Sequence, residues 1–340
     1  MEENKIKISV MVPIYNTSQY LEKCLKSILS QSLREIEIIC VNDGSTDNSL
    51  EILEKFSKKD ERIVIINKKN GGLTSARNTA LKIARGKYCL NIDSDDWIEQ
   101  EYFKDIYEKA ERDNLDILLT NIIFDYPNRK STLNDLNLGD NTIINGKKYI
   151  NIFFQNNKHG FTWNKLIKRE LYFKNKLQYN EKIFLLEDLE LIGRIGYFSK
   201  RVGKLNRAYY HYMQRETNGS QRVKLKNLID RIEAYKSLID FYQKYNEKEI
   251  INHIKEERDI TLLSEIIGKD FYKLDGYDEV LEKIIEIVKE DKNNIKEKLD
   301  YTKYQIITTK CIKKIEFISP KLQIKLFKII SKLKNKVIKI

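Results

Sequence analysis

The chain has 340 residues, of which 41% are hydrophobic and 33% charged, with only three prolines, so a long disordered chain is excluded and a sizeable core is affordable. The net charge is +12, but residues 301–340 carry eleven lysines and one glutamate, which places +10 of it in the tail. The first 300 residues are close to neutral, which excludes a nucleic-acid-binding core and leaves one basic appendage.

The four cysteines, Cys24, Cys40, Cys89 and Cys311, sit singly in apolar runs with no paired spacing. Small core side chains in a reducing compartment explain them better than a disulfide or metal framework. The start, MEENKIKISVMVPIYN, opens acidic, and its apolar run is too short and too β-branched for a signal peptide. No apolar window of 18 residues appears, so a cytoplasmic protein is expected.

In chain order, Lys7–Asn16 reads as a buried strand that ends at Pro13, because proline cannot donate to a ladder. Leu21, Cys24, Leu25, Ile28 and Leu29 then recur at helical spacing behind Thr17 or Ser18 as N-cap. A second strand, Ile36–Val41, runs into the turn NDGSTDNS and a helix through Leu50, Leu53 and Phe56. A third strand, Arg62–Asn67, precedes a Gly-Gly loop, a helix and a terminal glycine over Gly71–Gly86. The fourth strand, Lys87–Ile92, leads into Asp93, Asp95 and Asp96, and a helix follows to about Asn114. Alternating apolar strands and helices predict an α/β fold with a parallel sheet, whose ligands bind beyond the carboxyl ends of the strands.

Further on, DILLTNIIF reads as another strand. Residues 125–160, rich in Asn, Lys and Asp, read as a variable loop region. Phe161–Tyr172 and Phe184–Phe198 read as ordered elements, Arg207–Ser220 as an aromatic, strand-like segment, and the chain from about Val223 as helical almost throughout.

The strings VPIYN, VNDGSTDNS, GGLTSARN, NIDSDDW, WNKL and LEDLEL occur in this order. Together they resemble a family-2 inverting glycosyltransferase of the GT-A type, over about residues 6–220. The resemblance implies a Rossmann-like, mostly parallel sheet with flanking helices in residues 1–222, followed by a helical C-terminal region, 223–340. It implies a metal-dependent hexosyl- or N-acetylhexosaminyltransferase using Mn²⁺ or Mg²⁺. Such an enzyme moves a sugar from a nucleotide-diphosphate donor, here expected to be a UDP-sugar, to a glycan or lipid-linked acceptor. Bacterial relatives of this kind build capsule, lipopolysaccharide and related surface polysaccharides.

Motif by motif, the resemblance gives Asp95 to the metal, with its register against Asp96 open by one residue. It sets Asp93 toward the ribose and Asp96 on the donor or its loop; the plain alternative for the cluster is a polar helix cap. It gives Asp43 to the nucleotide base, since a carboxylate can accept the uracil N3–H, or else to a helix cap. Arg77 is set on base or phosphate, or on an ordinary helix surface. Pro13 and Tyr15 line the nucleotide cleft or the core. Asp188 becomes the base on the acceptor hydroxyl, with Glu187 beside it, or the pair merely opens an acidic helix turn. Trp163 offers a ring face to an acceptor sugar, or packs in the core. His211 completes the metal site in some relatives, or is a hydrogen-bonded structural histidine. Arg215 neutralises a leaving diphosphate or sits in a solvated loop.

Two functional classes remain: a catalyst, and a non-catalytic nucleotide-sugar-binding member of the same fold. In the tail, Ser319–Pro320 reads as a helix start. Leu322, Leu326, Ile329, Ile330, Leu333, Val337 and Ile340 form an apolar stripe beside a row of lysines. Residues 320–340 suit an in-plane helix docked at the inner face of the cell membrane, or a helix packed on its own domain.

Overall fold

In the computed structural model, Ile8–Ile14 (β1) and Ile36–Asp43 (β2) are buried at every position. They pair in parallel from Ile8–Ile36 to Ile14–Asn42. Ile63–Lys68 (β3) adds to β2 and Tyr88–Asn91 (β4) to β1, both parallel, giving the order β3-β2-β1-β4. The structure describes residues 6–155, 160–214 and 225–268, together with Val280 and Ile284. Ser18–Leu29 (α1) buries Leu21, Cys24, Leu25 and Ile28, the stripe its spacing predicts. Ser49–Ser57 (α2) packs on α1 and β3, and Leu73–Ile83 (α3) on β1 and β2.

The second half of the sheet is mixed. It is built from Trp97–Ile98 (β5), Ile117–Tyr126 (β6), Arg129–Leu133 (β7), Lys165–Lys168 (β8) and Val202–Met213 (β9). The order continues β8-β6-β9-β5, with β7 on β6. β8 runs antiparallel to both β4 and β6, whereas β9 runs parallel to β6 with a register shift around Asn121. The sequence led us to expect a mostly parallel sheet. Apolar periodicity reports burial and carries no information on strand direction. The helices here are Tyr102–Arg112 (α4), Gly146–Gln155 (α5), Arg169–Lys174 (α6) and Glu187–Phe198 (α7).

The stretch expected to be a loop, 125–160, contains β7 and α5. α5 buries Tyr149, Ile150, Phe153 and Phe154, a helical spacing embedded in a polar composition.

The chain divides into two compact units, Met1–Asn218 and Gly219–Ile340. In the second, Leu225–Gln243 (α8) and Lys248–Gly268 (α9) pack on each other, and Tyr235 Oη meets Thr261 Oγ1 at 3.2 Å. No helix among the described residues is long and apolar enough to cross a membrane. Arg215, Cys311 and the basic amphipathic helix expected over 320–340 lie outside the described residues.

Candidate active site

The carboxyl ends of β1, β2 and β4 open into a cleft of about 370 Å³ lined by Pro13, Tyr15, Asp43, Asn70, Asp93 and Asp95, among others. Tyr15 is 51% exposed, so its ring belongs to the cleft and not to the core. Gly44 turns the chain after β2 at φ +72°, where a Cβ would also come within 2.8 Å of the Asn70 nitrogen. Only glycine meets both demands without strain.

Asp43 is buried, and its carboxylate is densely hydrogen-bonded. It accepts from Lys68 Nζ at 2.6 Å, from Gly71 N–H at 3.0 Å and from Gly72 N–H at 2.7 Å. The cap role open to Asp43 concerns the helix after β2. The structure directs it instead to the loop that starts α3. The N–H of Ser18, at the start of α1, is taken by Asp47 at 2.9 Å, and the other Asp47 oxygen accepts from Ser49 N–H at 3.0 Å. Burial pushes the Asp47 carboxyl up, but these bonds from Ser49 and Ser18 outweigh it and bring it down to about 2.

A second group of residues gathers around Arg77 of α3, which is 2% exposed. One terminal nitrogen donates to Asp188 Oδ1 at 2.8 Å and to Glu187 Oε1 at 3.2 Å, and the other donates to Asp93 Oδ1 at 2.9 Å. The Tyr179 ring lies 5.4 Å from the guanidinium carbon. Asp188 also accepts from the Thr162 hydroxyl at 2.8 Å and from the Thr162 N–H at 3.1 Å. Tyr179 Oη donates to Thr162 Oγ1 at 3.1 Å and accepts from Asn91 Nδ2 at 2.9 Å.

The pair enters α7 through Leu186, which is left-handed at φ 67°. A non-glycine residue held there costs on the order of 1–3 kcal/mol, and such strain clusters at functional sites. Glu187 and Asp188 thereby occupy the first helical turn, where the helix dipole favours negative charge. Burial, then the Asp188 charge, push the Glu187 carboxyl up to about 7, against the pull of Arg77. Burial also raises Asp188, with Arg77 and Thr162 opposing.

Four residues given ligand roles by the resemblance, each beside a structural alternative, have other surroundings. Asp96 does not line the cleft; it is buried, accepting from Tyr210 Oη and from Met213 N–H, both at 2.8 Å. His211 is 2% exposed, with Nδ1 3.1 Å from Asp125 and Nε2 3.1 Å from Glu99. Its ring stacks on Trp97 at 3.5 Å. Both nitrogens are committed, the arrangement of a structural histidine. Trp163 is buried in a stack with Phe161, Tyr210 and Tyr212, at 4.6, 4.4 and 5.3 Å between centroids. Arg77, assigned to the nucleotide, has its fork directed at carboxylates.

Residues 9–174 match the family model described as Glycosyl transferase family 2. The chain is 31% identical over 282 residues to the Bacillus subtilis (strain 168) protein named "Putative glycosyltransferase EpsH", covering 82% of this chain and 80% of that one. The chain belongs to glycosyl transferase family 2. It is also 33% identical to the uncharacterized glycosyltransferase EpsJ of the same organism, covering 70% of each chain. Among solved structures it resembles S. aureus TarS 1-349 in complex with UDP-GlcNAc, at a TM-score of 0.68 and 22% identity, over 85% of this chain and 84% of that one. At that identity the likeness speaks for the fold, which is GT-A.

The family-2 reading of the sequence missed Thr162, Tyr179 and Lys68. Thr162 stands directly before Trp163 in FTWNKL, so the string itself marks its place. No side-chain cluster of three or more His, Cys, Asp or Glu able to hold a metal is present among the described residues. The cleft nonetheless offers the carboxylates of Asp93 and Asp95. One or two hard oxygen ligands fit Mg²⁺ or Mn²⁺, which fill the remaining positions with phosphate oxygens and water.

Proposed function

We propose that this glycosyltransferase moves a sugar from a UDP-sugar to a hydroxyl of a glycan or lipid-linked acceptor, with inversion, in the synthesis of surface polysaccharide. The observation that carries the reading is the single guanidinium joining Asp93, on the cleft wall, to Asp188 beside it. Donor handling and proton removal thus sit one side chain apart.

In this reading Asp43 and Tyr15 receive the base, Asp93 the ribose side, and Asp95 would hold Mn²⁺ or Mg²⁺. That cation supplies charge neutralisation at the diphosphate when bound. Asp188 takes the proton of the acceptor hydroxyl as its oxygen bonds to C1 of the sugar. The bond from C1 to the diphosphate oxygen breaks on the opposite face, and UDP departs. A carboxylate is a weak base for an alcohol, but the proton moves together with C–O bond formation. The enzyme works in the cytoplasm, and residues 320–340 dock it on the inner face of the membrane where a lipid-linked acceptor would lie. The TarS complex with UDP-GlcNAc supports the choice of a UDP-sugar.

The test is UDP release from a panel of radiolabelled UDP-sugars with Mn²⁺, without acceptor, for the wild type and Asp188→Asn. The expected result is slow hydrolysis of at least one donor, lost in the variant, while UDP binding stays. UDP binding with no turnover of any donor in the wild type would instead identify a non-catalytic binder. Co-sedimentation with anionic liposomes, with and without residues 320–340, tests the docking; equal binding by both forms refutes it.

A further inference from the structure

We infer that Arg77 is a positioning residue for the catalytic carboxylate: it bridges the donor-side Asp93 to the Glu187–Asp188 pair and sets their separation without touching the nucleotide. The inference rests on the proposed role of Asp188.

Three observations carry it. First, both terminal nitrogens of the fork are engaged by carboxylates, although Nε is buried without a partner among the described residues. The two terminal nitrogens reach three carboxylates, at 2.8, 2.9 and 3.2 Å. A planar guanidinium holds such partners in fixed directions, which an ammonium cannot do. Second, access is closed. Arg77 is buried with its guanidinium carbon over the Tyr179 ring, and although its neighbour Ala76 lines the cleft, Arg77 does not. Third, the partners come from separate parts of the chain. Asp93 follows β4, while Glu187 and Asp188 open α7, 110 and 111 residues along the chain from Arg77. The side chain therefore fixes one loop against one helix.

The charges around it explain why a bridge is needed. Asp93, Glu187 and Asp188 face Arg77 from the β4–β5 loop and α7, with the buried phenols of Tyr179 and Tyr172 also close. Three carboxylates and one cation leave the group under mutual repulsion. Without Arg77 the pair and the loop separate, and Asp188 loses the cation that favours its ionised form. An inverting displacement needs its base at a set distance behind the sugar carbon, and a shift of about 1 Å can cost on the order of 10²-fold in rate.

The experiment compares Arg77→Met and Arg77→Lys with the wild type, reading UDP affinity by calorimetry and kcat as UDP released from UDP-N-acetylglucosamine and UDP-glucose at saturating donor. The expected result is UDP affinity within about threefold of wild type in both variants. In R77M kcat should fall by about 10²-fold, the lower end of what a general base contributes. R77K, which restores charge without the fork, should recover part of it. Where R77M does not fold, R77K carries the test through reduced kcat at unchanged UDP affinity. Loss of UDP affinity in R77K, with or without loss of turnover, overturns the inference, as does unchanged kcat. A wild type that binds UDP and releases none from any UDP-sugar defeats the functional proposal itself, a separate outcome.

Discussion

Thr162 holds both oxygens of Asp188, its hydroxyl donating to Oδ1 at 2.8 Å and its backbone N–H to Oδ2 at 3.1 Å. The side-chain bond is removable and the backbone bond is not, which makes Thr162→Val an incisive variant. A hydrogen bond to a charged group is worth roughly 1.5–3 kcal/mol, so kcat should fall by about 10- to 100-fold with UDP affinity unchanged. The Thr162 hydroxyl also favours the ionised carboxylate, so the acidic limb of the kcat profile should move to higher pH. A kcat profile against pH that superimposes on the wild type would remove Thr162 from the base's support.

Glu187 makes a prediction about stability. Its carboxyl is raised to about 7 in the folded chain, from an ordinary 4.5. Between those values the folded state binds more protons than the unfolded one, so stability must fall as pH rises through that window. Asp188, also raised, acts with the same sign. Melting temperatures of the wild type should therefore decline from about pH 5 to pH 7, and Glu187→Gln should flatten the decline. A slope unaltered in the variant would show that Glu187 is not the titrating group.

Asp95 is tested through binding. Wild-type UDP affinity should rise when Mn²⁺ replaces EDTA, and Asp95→Ala should lose that gain. Metal-free stability should hold or rise slightly in the variant, because one charge leaves an acidic loop. Equal affinity in Mn²⁺ and EDTA for the wild type would discard the metal.

Lys165 is fully buried in β8 and donates to Asp135 at 3.0 Å, to the Phe161 carbonyl at 2.6 Å and to Asn164 Oδ1 at 2.8 Å. Removing one partner of such a pair leaves an uncompensated buried charge, at a cost of about 3–5 kcal/mol. Lys165→Met should lower urea stability by that order, and adding Asp135→Asn should restore part of it. Additive losses in the double variant would mean that the two side chains are not coupled.

The legible parts of the molecule are those where one residue type answers one local demand. The apolar runs of β1, β2 and β4 disclose buried strands, and the residues at and just past their carboxyl ends disclose the cleft wall of Pro13, Tyr15, Asp43, Asp93 and Asp95. Arg77 is legible as a nucleotide contact by resemblance or as a helix surface residue, but not as a buried bridge. Its burial depends on carboxylates 16, 110 and 111 residues away in the chain, which no local pattern contains. The same holds for His211, whose partners Glu99 and Asp125 lie 112 and 86 residues away. β8 lies inside the stretch Phe161–Tyr172 that reads only as ordered, because its buried Lys165 is a charge whose partner Asp135 lies elsewhere in the chain.

Only two residue pairs, Tyr88–Lys168 and Cys89–Ile167, stitch β4 to β8, where the parallel half of the sheet meets the mixed half. The cleft wall of Asp43, Asp93 and Asp95 hangs from the first half, and the helix bearing Asp188 packs on α5 and α6. On the proposed function the molecule is thus divisible by trade: one side concerns what is given, the other what receives it. The second side can be recast for a new recipient while the first stays as it is, on condition that the recast side still presents an acid to the arginine across the seam.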